Sequence, residues 1–109
     1  MIAEYVQKGE TLDYLNNTEE TITAGSVVML GELCTVAATN ISAGEVGTVA
    51  TVGVWTMPKD ESDITAGAKL YYDAESDKLT ITADSNVFAG IAACAAGTSA
   101  STVNVRLNG

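Results

Sequence analysis

The sequence contains no histidine among its 109 residues. Histidine is the commonest general base, metal ligand and member of catalytic triads, because its pKa lies close to neutral pH. Serine and threonine are plentiful, but no motif places a basic group beside any of them. We therefore predict that the protein is not an enzyme and that it has no catalytic residues, no cofactor-binding residues, no metal ligands and no cofactor.

Basic residues are also scarce. The chain has 5 lysines and arginines against 14 aspartates and glutamates, which gives a formal charge of −9. The five bases are scattered along the chain, at Lys8, Lys59, Lys69, Lys78 and Arg106. A nucleic-acid-binding surface needs clustered cations that displace counterions from the phosphates. We predict no nucleic-acid partner and a solvated acidic surface.

Long apolar runs and a basic leader segment are missing as well. No stretch approaches the roughly 20 apolar residues that a membrane-spanning helix needs. The segment Met1-Ile2-Ala3-Glu4 lacks the basic region with which a secretory signal begins. These features predict a protein that has no membrane partner and is synthesised in the cytoplasm of its host.

Cysteine occurs only twice, at Cys34 and Cys94. Zinc-binding motifs place their cysteines a few residues apart, so the wide separation of these two does not fit such a motif. Both lie among small apolar residues, where free cysteine behaves as a small buried hydrophobic side chain. We predict two buried free thiols rather than a disulfide.

Large side chains are few. Trp55 and Phe88 are the single tryptophan and phenylalanine, and the hydrophobic content of 47% is mostly alanine and valine. This length and composition are typical of one globular domain. We divide the chain into residues 1–20, an N-terminal arm or edge strand, and residues 21–109, the core domain. Small side chains bury little area each, so self-association would add useful burial.

A short unit ending in Ala-Gly occurs three times, each time before a run of β-forming residues. The copies are Ile22-Thr23-Ala24-Gly25, Ile41-Ser42-Ala43-Gly44 and Ile64-Thr65-Ala66-Gly67. Glycine adopts a positive φ at little cost, which makes it the usual residue in tight turns of this kind. We predict a turn with a positive φ at Gly25, Gly44 and Gly67, each starting a strand.

Apolar and polar residues alternate with the period of a β-strand. Clear alternation occurs at residues 78–83 and 103–108, and a strand is predicted through residues 88–92. Tyr71-Tyr72, the acidic loop 73–77 and the run from Leu79 read as a β-hairpin. Between Glu45 and Trp55 we predict one face formed by Val46, Ala50, Val52 and Val54, with bulges or close backbone approach at Gly47 and Gly53. No stretch predicts a helix. The fold class is therefore all-β, a small single-domain β-barrel or β-sandwich with short strands that begin after glycine.

One local resemblance leads to an alternative function. Glu75-Ser76-Asp77-Lys78-Leu79 followed by Phe88-Ala89-Gly90 resembles the modified-lysine hairpin of lipoyl carrier domains, which are also small all-β proteins. That resemblance would make Lys78 the acceptor of the cofactor arm. The residue after Lys78 is Leu79 rather than a small one, and no proline follows the hairpin. The resemblance covers only about a quarter of the chain.

A second resemblance extends along nearly the whole chain. It rests on six segments in a fixed order: Tyr5-Val6-Gln7-Lys8-Gly9-Glu10, Ala24-Gly25, Gly53-Val54-Trp55-Thr56-Met57-Pro58-Lys59, Ala66-Gly67-Ala68-Lys69-Leu70-Tyr71-Tyr72-Asp73, Phe88-Ala89-Gly90-Ile91-Ala92 and Val103-Asn104-Val105-Arg106-Leu107-Asn108. Together they resemble a family of capsid decoration, or cement, proteins of tailed bacteriophages. The family was formerly a domain of unknown function, and some members were labelled recombinase-like. Trp55 stands where the family more often has phenylalanine or tyrosine.

The resemblance implies a structural virion protein on the outer surface of a capsid. The implied partner is the major capsid protein, and the implied state is a homotrimer that helps the shell resist the pressure of packaged DNA. A recombinase is excluded by the residues themselves, because its phosphate loop needs a Gly-Lys pair and the chain has none. A generic surface-binding module, such as the base of a head fibre, remains a further alternative to the carrier domain.

Overall fold

The computed structural model describes residues 1–108, and this part of the chain contains nine β-strands and no helix. The all-β prediction is confirmed. The strands are β1 (Thr11–Leu15), β2 (Val27–Leu30), β3 (Leu33–Ala37), β4 (Val46–Ala50), β5 (Val54–Pro58), β6 (Lys69–Asp73), β7 (Lys78–Thr80), β8 (Val87–Ala92) and β9 (Thr102–Leu107).

The strands form two antiparallel sheets. The first has the order β1-β4-β3-β2, and the second has the order β5-β9-β8-β6-β7. The second sheet curls because Lys59, directly after β5, forms a parallel bridge with Leu79 of β7. The two outer strands of that sheet therefore approach each other, and the sheet becomes a half-barrel. The fold combines the two architectures that the sequence predicts, since a flatter sheet packs against this half-barrel.

The three predicted turn glycines have the expected backbone conformation. The φ angles are 89° at Gly25, 79° at Gly44 and 84° at Gly67. Each turn is closed by a hydrogen bond from the residue after the glycine to the residue two before it, with N–O distances of 3.0 to 3.1 Å. A positive φ at the third turn position with this bond is the geometry of a type II turn. The prediction of the same glycine turn at three places in the chain is confirmed.

Replacing Gly25, Gly44 or Gly67 with valine is expected to destabilise the fold by about 1–3 kcal/mol, because a β-branched residue is strained at positive φ. No atom lies within 4 Å of a Cβ placed at any of the three positions, so the cost comes from the backbone alone. Gly9 has equally open surroundings without a positive φ, which makes Gly9→Val the matched control. Urea denaturation of the four variants measures the difference. Three near-neutral turn substitutions would contradict the assignment.

The structure contains a fourth turn that the sequence pattern does not reveal. Its closing hydrogen bond runs from Ala100 N to Gly97 O at 3.1 Å. The four turns lie side by side in two pairs, since Ile22 bridges Ile41 and Ile64 bridges Ala96. In both halves one turn precedes a run of strands and its paired turn precedes the next strand, β4 in the first half and β9 in the second. The strand order β1-β4-β3-β2 corresponds to β5-β9-β8-β6, so the chain consists of two similar halves and the second carries β7 as an additional strand.

The larger core lies between the sheets. Val103, Val105 and Leu107 of β9 point into it and alternate with exposed polar residues, as the sequence predicts. Its other buried members come from both sheets and their connections: Cys34, Val36, Met57, Ile64, Leu70, Leu79, Ala89, Ala92 and Ala96. A smaller cluster of Val28, Ala37, Ile41 and Val49 covers one part of the first sheet.

The predicted face between Glu45 and Trp55 is wrong. This segment forms two strands in different sheets, β4 and β5, and the alternation is interrupted where the chain crosses at Gly53, whose φ is 109°. Val46, Val52 and Val54 are exposed by 45–62%, whereas Val49 is fully buried. The predicted strand at residues 78–83 is also shorter than expected and ends at Thr80.

The bulge or close backbone approach predicted at Gly47 is wrong, because the register with β1 is regular and the nearest atoms belong to a side chain. A Cβ at Gly47 would lie 2.3 Å from Cγ1 of Ile41, so the side chain of Ile41 occupies the space above this glycine. Gly47 pairs with Tyr14 of β1 across the sheet. The missing side chain thus lets Ile41 pack onto the strand within the smaller cluster.

Candidate interaction surfaces

Within residues 1–108, no group of three or more cysteine, aspartate or glutamate side chains is arranged to hold a metal ion. The carboxylates of the acidic hairpin instead bind their own loop. Asp73 accepts a hydrogen bond from the backbone N of Glu75 at 3.0 Å, and Asp77 accepts one from the Tyr72 hydroxyl at 2.5 Å. Burial and the bond to Asp77 raise the pKa of Tyr72 to about 12. The loop is a self-contained hairpin tip.

Lys78, the residue singled out by the carrier-domain resemblance, is exposed but is not at the tip. It is the first residue of β7 and pairs with Asp73 of β6. The tip consists of residues 74–77, and Asp77 adopts a positive φ of 55° to close it. The acceptor position that a carrier domain presents at its tip is thus occupied by an acidic loop.

The two cysteines differ, which corrects the prediction of two buried thiols. Both are free, but Cys34 is fully buried in β3 and Cys94 is exposed after β8. Small apolar neighbours in sequence did not bury Cys94, because the strand ends two residues earlier and the chain turns outward. Burial raises the pKa of Cys34 to about 11, so its thiol stays protonated at neutral pH.

A thiol reagent at pH 8 is expected to modify one cysteine per folded chain and two per unfolded chain. The thiolate is the reactive form, and Cys34 is both inaccessible and protonated. Absorbance during labelling in buffer and in denaturant measures the two values. Cys94→Ser is the control and should leave no reactive thiol in the folded protein. Rapid labelling of both cysteines in buffer would contradict the burial of Cys34.

Lys59 is the feature that sequence reasoning missed most clearly. Only 3% of its surface is exposed, and Nζ donates to the backbone oxygens of Asp60, Gly97 and Ala100 at 2.7, 3.0 and 3.2 Å. It therefore ties the end of β5 to the fourth turn, which lacks a glycine at positive φ. Nothing in the local sequence distinguishes this lysine from a solvated one.

Two asparagine side chains connect other segments of the chain by hydrogen bonds to backbone carbonyls. Asn16 is fully buried and donates to the carbonyls of Glu20 and Ile41 at 2.8 and 2.9 Å. Asn108 donates to the carbonyls of Cys34 and Thr51 at 3.0 and 2.7 Å, and so links both sheets. In the described part of the chain, the buried polar side chains all have hydrogen-bond partners. These hydrogen bonds hold separate segments of the chain together, which is a structural role.

The apolar residues that remain exposed form distinct surfaces. Leu15 and Val46 are exposed by 55% and 62% and lie directly opposite each other in the β1–β4 ladder. Val52, in the connection from the first sheet to the second, and Val54, the first residue of β5, are exposed by 45% and 62%.

The third apolar surface is the N-terminal arm, here defined as residues 1–8. No residue of the arm belongs to a strand, and Met1, Ile2, Tyr5 and Val6 are exposed by 78–120%. The arm is attached at its base, where Thr51 donates from its backbone N to the carbonyl of Glu10 and from its hydroxyl to that of Gly9.

A family described as phage cement protein matches the chain over residues 6–107, nearly its whole length. The chain belongs to this family. No protein with curated annotation and no solved structure matches it. The resemblance that the six ordered segments suggest is thereby confirmed.

Membership makes the surfaces, rather than any cleft, the natural candidates for function in this phage cement protein. A cement protein acts by holding to a phage particle, so its family points to a structural role. The described residues include no helix long and apolar enough to cross a membrane. The aspartates and glutamates are exposed or half-buried, while one of the few cations, Lys59, is buried.

Proposed function

We propose that the protein decorates the outer surface of a bacteriophage capsid, where a homotrimer binds the major capsid protein and stabilises the shell without catalysing a reaction. The observation that supports this most is the match to the phage cement protein family over residues 6–107. The rigid all-β body with exposed apolar surfaces fits such a role, because binding to a shell requires a preformed face rather than a reactive cleft.

A trimer would let a small protein bind strongly. Three copies of one weak contact, presented together, act at a high effective concentration once the first has formed. A ligand that binds the assembled shell and not the separated subunits stabilises the shell by mass action. The protein would thus raise the resistance of the capsid to heat and internal pressure.

The chemistry of the contact follows from the charge. A chain with a formal charge of −9 would be repelled by an acidic shell, so binding must come from apolar contact and hydrogen bonds or from a basic patch on the shell. The exposed pair Leu15 and Val46 and the pair Val52 and Val54 are the apolar faces that the body offers. Apolar contact predicts binding that survives about 1 M salt, where the Debye length is about 3 Å.

The test is addition of the purified protein to expanded capsids that lack it. We expect co-sedimentation at a saturating ratio, a raised temperature of capsid disruption, and binding that persists at high salt. Light scattering of the free protein should give three times the chain mass of 11.2 kDa. Dissociated capsid subunits are the control for binding to the assembled lattice. A protein that neither co-sediments nor changes the disruption temperature would refute the proposal.

A further inference from the structure

Four strands lie at the outer positions of the two sheets, and one of them differs from the others. β1 carries the charged Asp13, β5 ends in Pro58 and β7 begins with Lys78. β2 reads Val27-Val28-Met29-Leu30 and has neither a charge nor a proline. Proteins protect exposed sheet edges with such residues, because an unprotected edge pairs with other strands. The edge of β2 is therefore available for pairing with another strand.

The surroundings of β2 fit an added strand. β2 pairs with β3 on one side only. A groove of about 760 Å³ borders it next to Tyr14 and residues 18–23, and a second of about 270 Å³ borders it next to Met57 and Tyr72. Successive side chains of a strand point to opposite faces, so a strand paired with β2 could place alternate side chains in the two grooves.

The arm has the matching properties. Residues 1–8 make no regular backbone pairing in the described structure, and four of their side chains are large, apolar and exposed. Eight extended residues span roughly 26–29 Å, twice the length of a four-residue strand. The arm carries one carboxylate, Glu4, and one cation, Lys8. The larger groove next to β2 is lined by Glu19 and Glu20, so a match of charge places Lys8 rather than Glu4 over it.

We propose that the edge of β2 receives the arm, residues 1–8, of a second copy of this chain as an added antiparallel or parallel strand. The inference rests on the self-association in the proposed function and is independent of capsid binding. The donated arm and the accepting strand β2 lie at opposite edges of one sheet, because the arm leads into β1 and the strand order is β1-β4-β3-β2. Such a contact joins different surfaces of two copies, and its repetition around a three-fold axis would close a trimer.

Deletion of residues 1–8 is the first test. The arm is exposed and contributes nothing to either core cluster, so the body should keep its β-type circular dichroism and still unfold cooperatively as a monomer. We expect the wild type to be trimeric by light scattering and the deletion variant to be monomeric at concentrations at least 100-fold above the wild-type dissociation constant. Tyr5→Glu with Val6→Glu should have the same effect in the full-length chain. Ile81→Glu, at a 47% exposed apolar residue that lines neither groove, is the control and should stay trimeric.

Cross-linking locates the contact. Ser26 precedes β2 and lines both grooves, so Val6→Cys with Ser26→Cys should form disulfides between copies in a Cys94→Ser background. Val6→Cys with Ile81→Cys is the matched pair and should not. A trimer that persists without the arm, or cross-linking that is equal in both pairs, would overturn the inference. An arm variant that stays trimeric but loses capsid binding would show that the arm binds the shell instead. A monomeric wild type would refute self-association itself.

Discussion

Replacing Lys59 with methionine is expected to lower the free energy of unfolding by about 2–4 kcal/mol, since three backbone carbonyls lose a charged donor. The ammonium group donates to three backbone oxygens and is 97% removed from solvent. Methionine fills much the same volume, so the loss measures the hydrogen bonds rather than a cavity. The fourth turn, residues 97–100, should become more mobile because the lysine is its main tie to β5.

Urea denaturation measures the Lys59 effect, and amide hydrogen exchange at Ala100 reports on the turn. Lys69→Met is the matched control, because Lys69 is exposed at the start of β6 and surface changes usually stay within about 0.5 kcal/mol. Equal stability of the two variants would show that the buried ammonium adds nothing to the fold. Loss of stability without faster exchange at Ala100 would contradict the role at the turn.

Replacing Gly90 with alanine should have an even larger effect, about 3 kcal/mol or more, because the added methyl group meets backbone and not a movable side chain. A Cβ at Gly90 would lie 2.1 Å from the carbonyl oxygen of Arg106 in β9. Gly90 also lies at the irregularity where the β6–β8 register shifts between Leu70 and Tyr71. Two strands would have to move apart in the middle of the larger sheet.

Thermal unfolding is the simplest measurement for Gly90→Ala. A loss of 3 kcal/mol corresponds to a decrease in melting temperature of roughly 12–24 °C in a domain of this size. Gly97→Ala is the control, since no atom lies within 4 Å of the added methyl group there and its φ is not positive. A Gly90→Ala variant with the melting temperature of the wild type would contradict the close approach of β8 and β9 at this residue.

Features that depend on neighbouring residues were predictable from the sequence. The turns at Gly25, Gly44 and Gly67 need only a glycine at one position, and β9 needs only alternation over six residues. Both signals are local, and both agree with the structure. The ordered segments that identified the family are likewise contained in the sequence, and they led to the correct family.

Features that depend on distant contacts were not predictable. The segment from Glu45 to Trp55 keeps its alternation by coincidence while the chain crosses between sheets. The fourth turn lacks the Ala-Gly signature because Lys59, 38 residues away from Gly97, supplies part of its hydrogen bonding. Cys94 is exposed because its strand ends earlier, which no neighbour in sequence indicates.

For the candidate surfaces, too, some features were predictable from the sequence and others required the fold. The absence of histidine and of clustered bases argued against catalysis and nucleic-acid binding, and an N-terminal arm or edge strand was predicted within residues 1–20. The unprotected edge of β2 required the strand order, because only an outer strand needs protection. The sequence Val27–Leu30 alone reads as an ordinary buried strand.

The central claim is that the protein belongs to the outer capsid surface as a stabilising component. Electron cryo-microscopy of virions made with and without it is the most direct measurement. We expect three-fold density of this all-β fold on the outside of the complete particles. Deletion particles should lack this density and break at a lower temperature. Complete particles with no such density, or deletion particles of unchanged surface and stability, would contradict it.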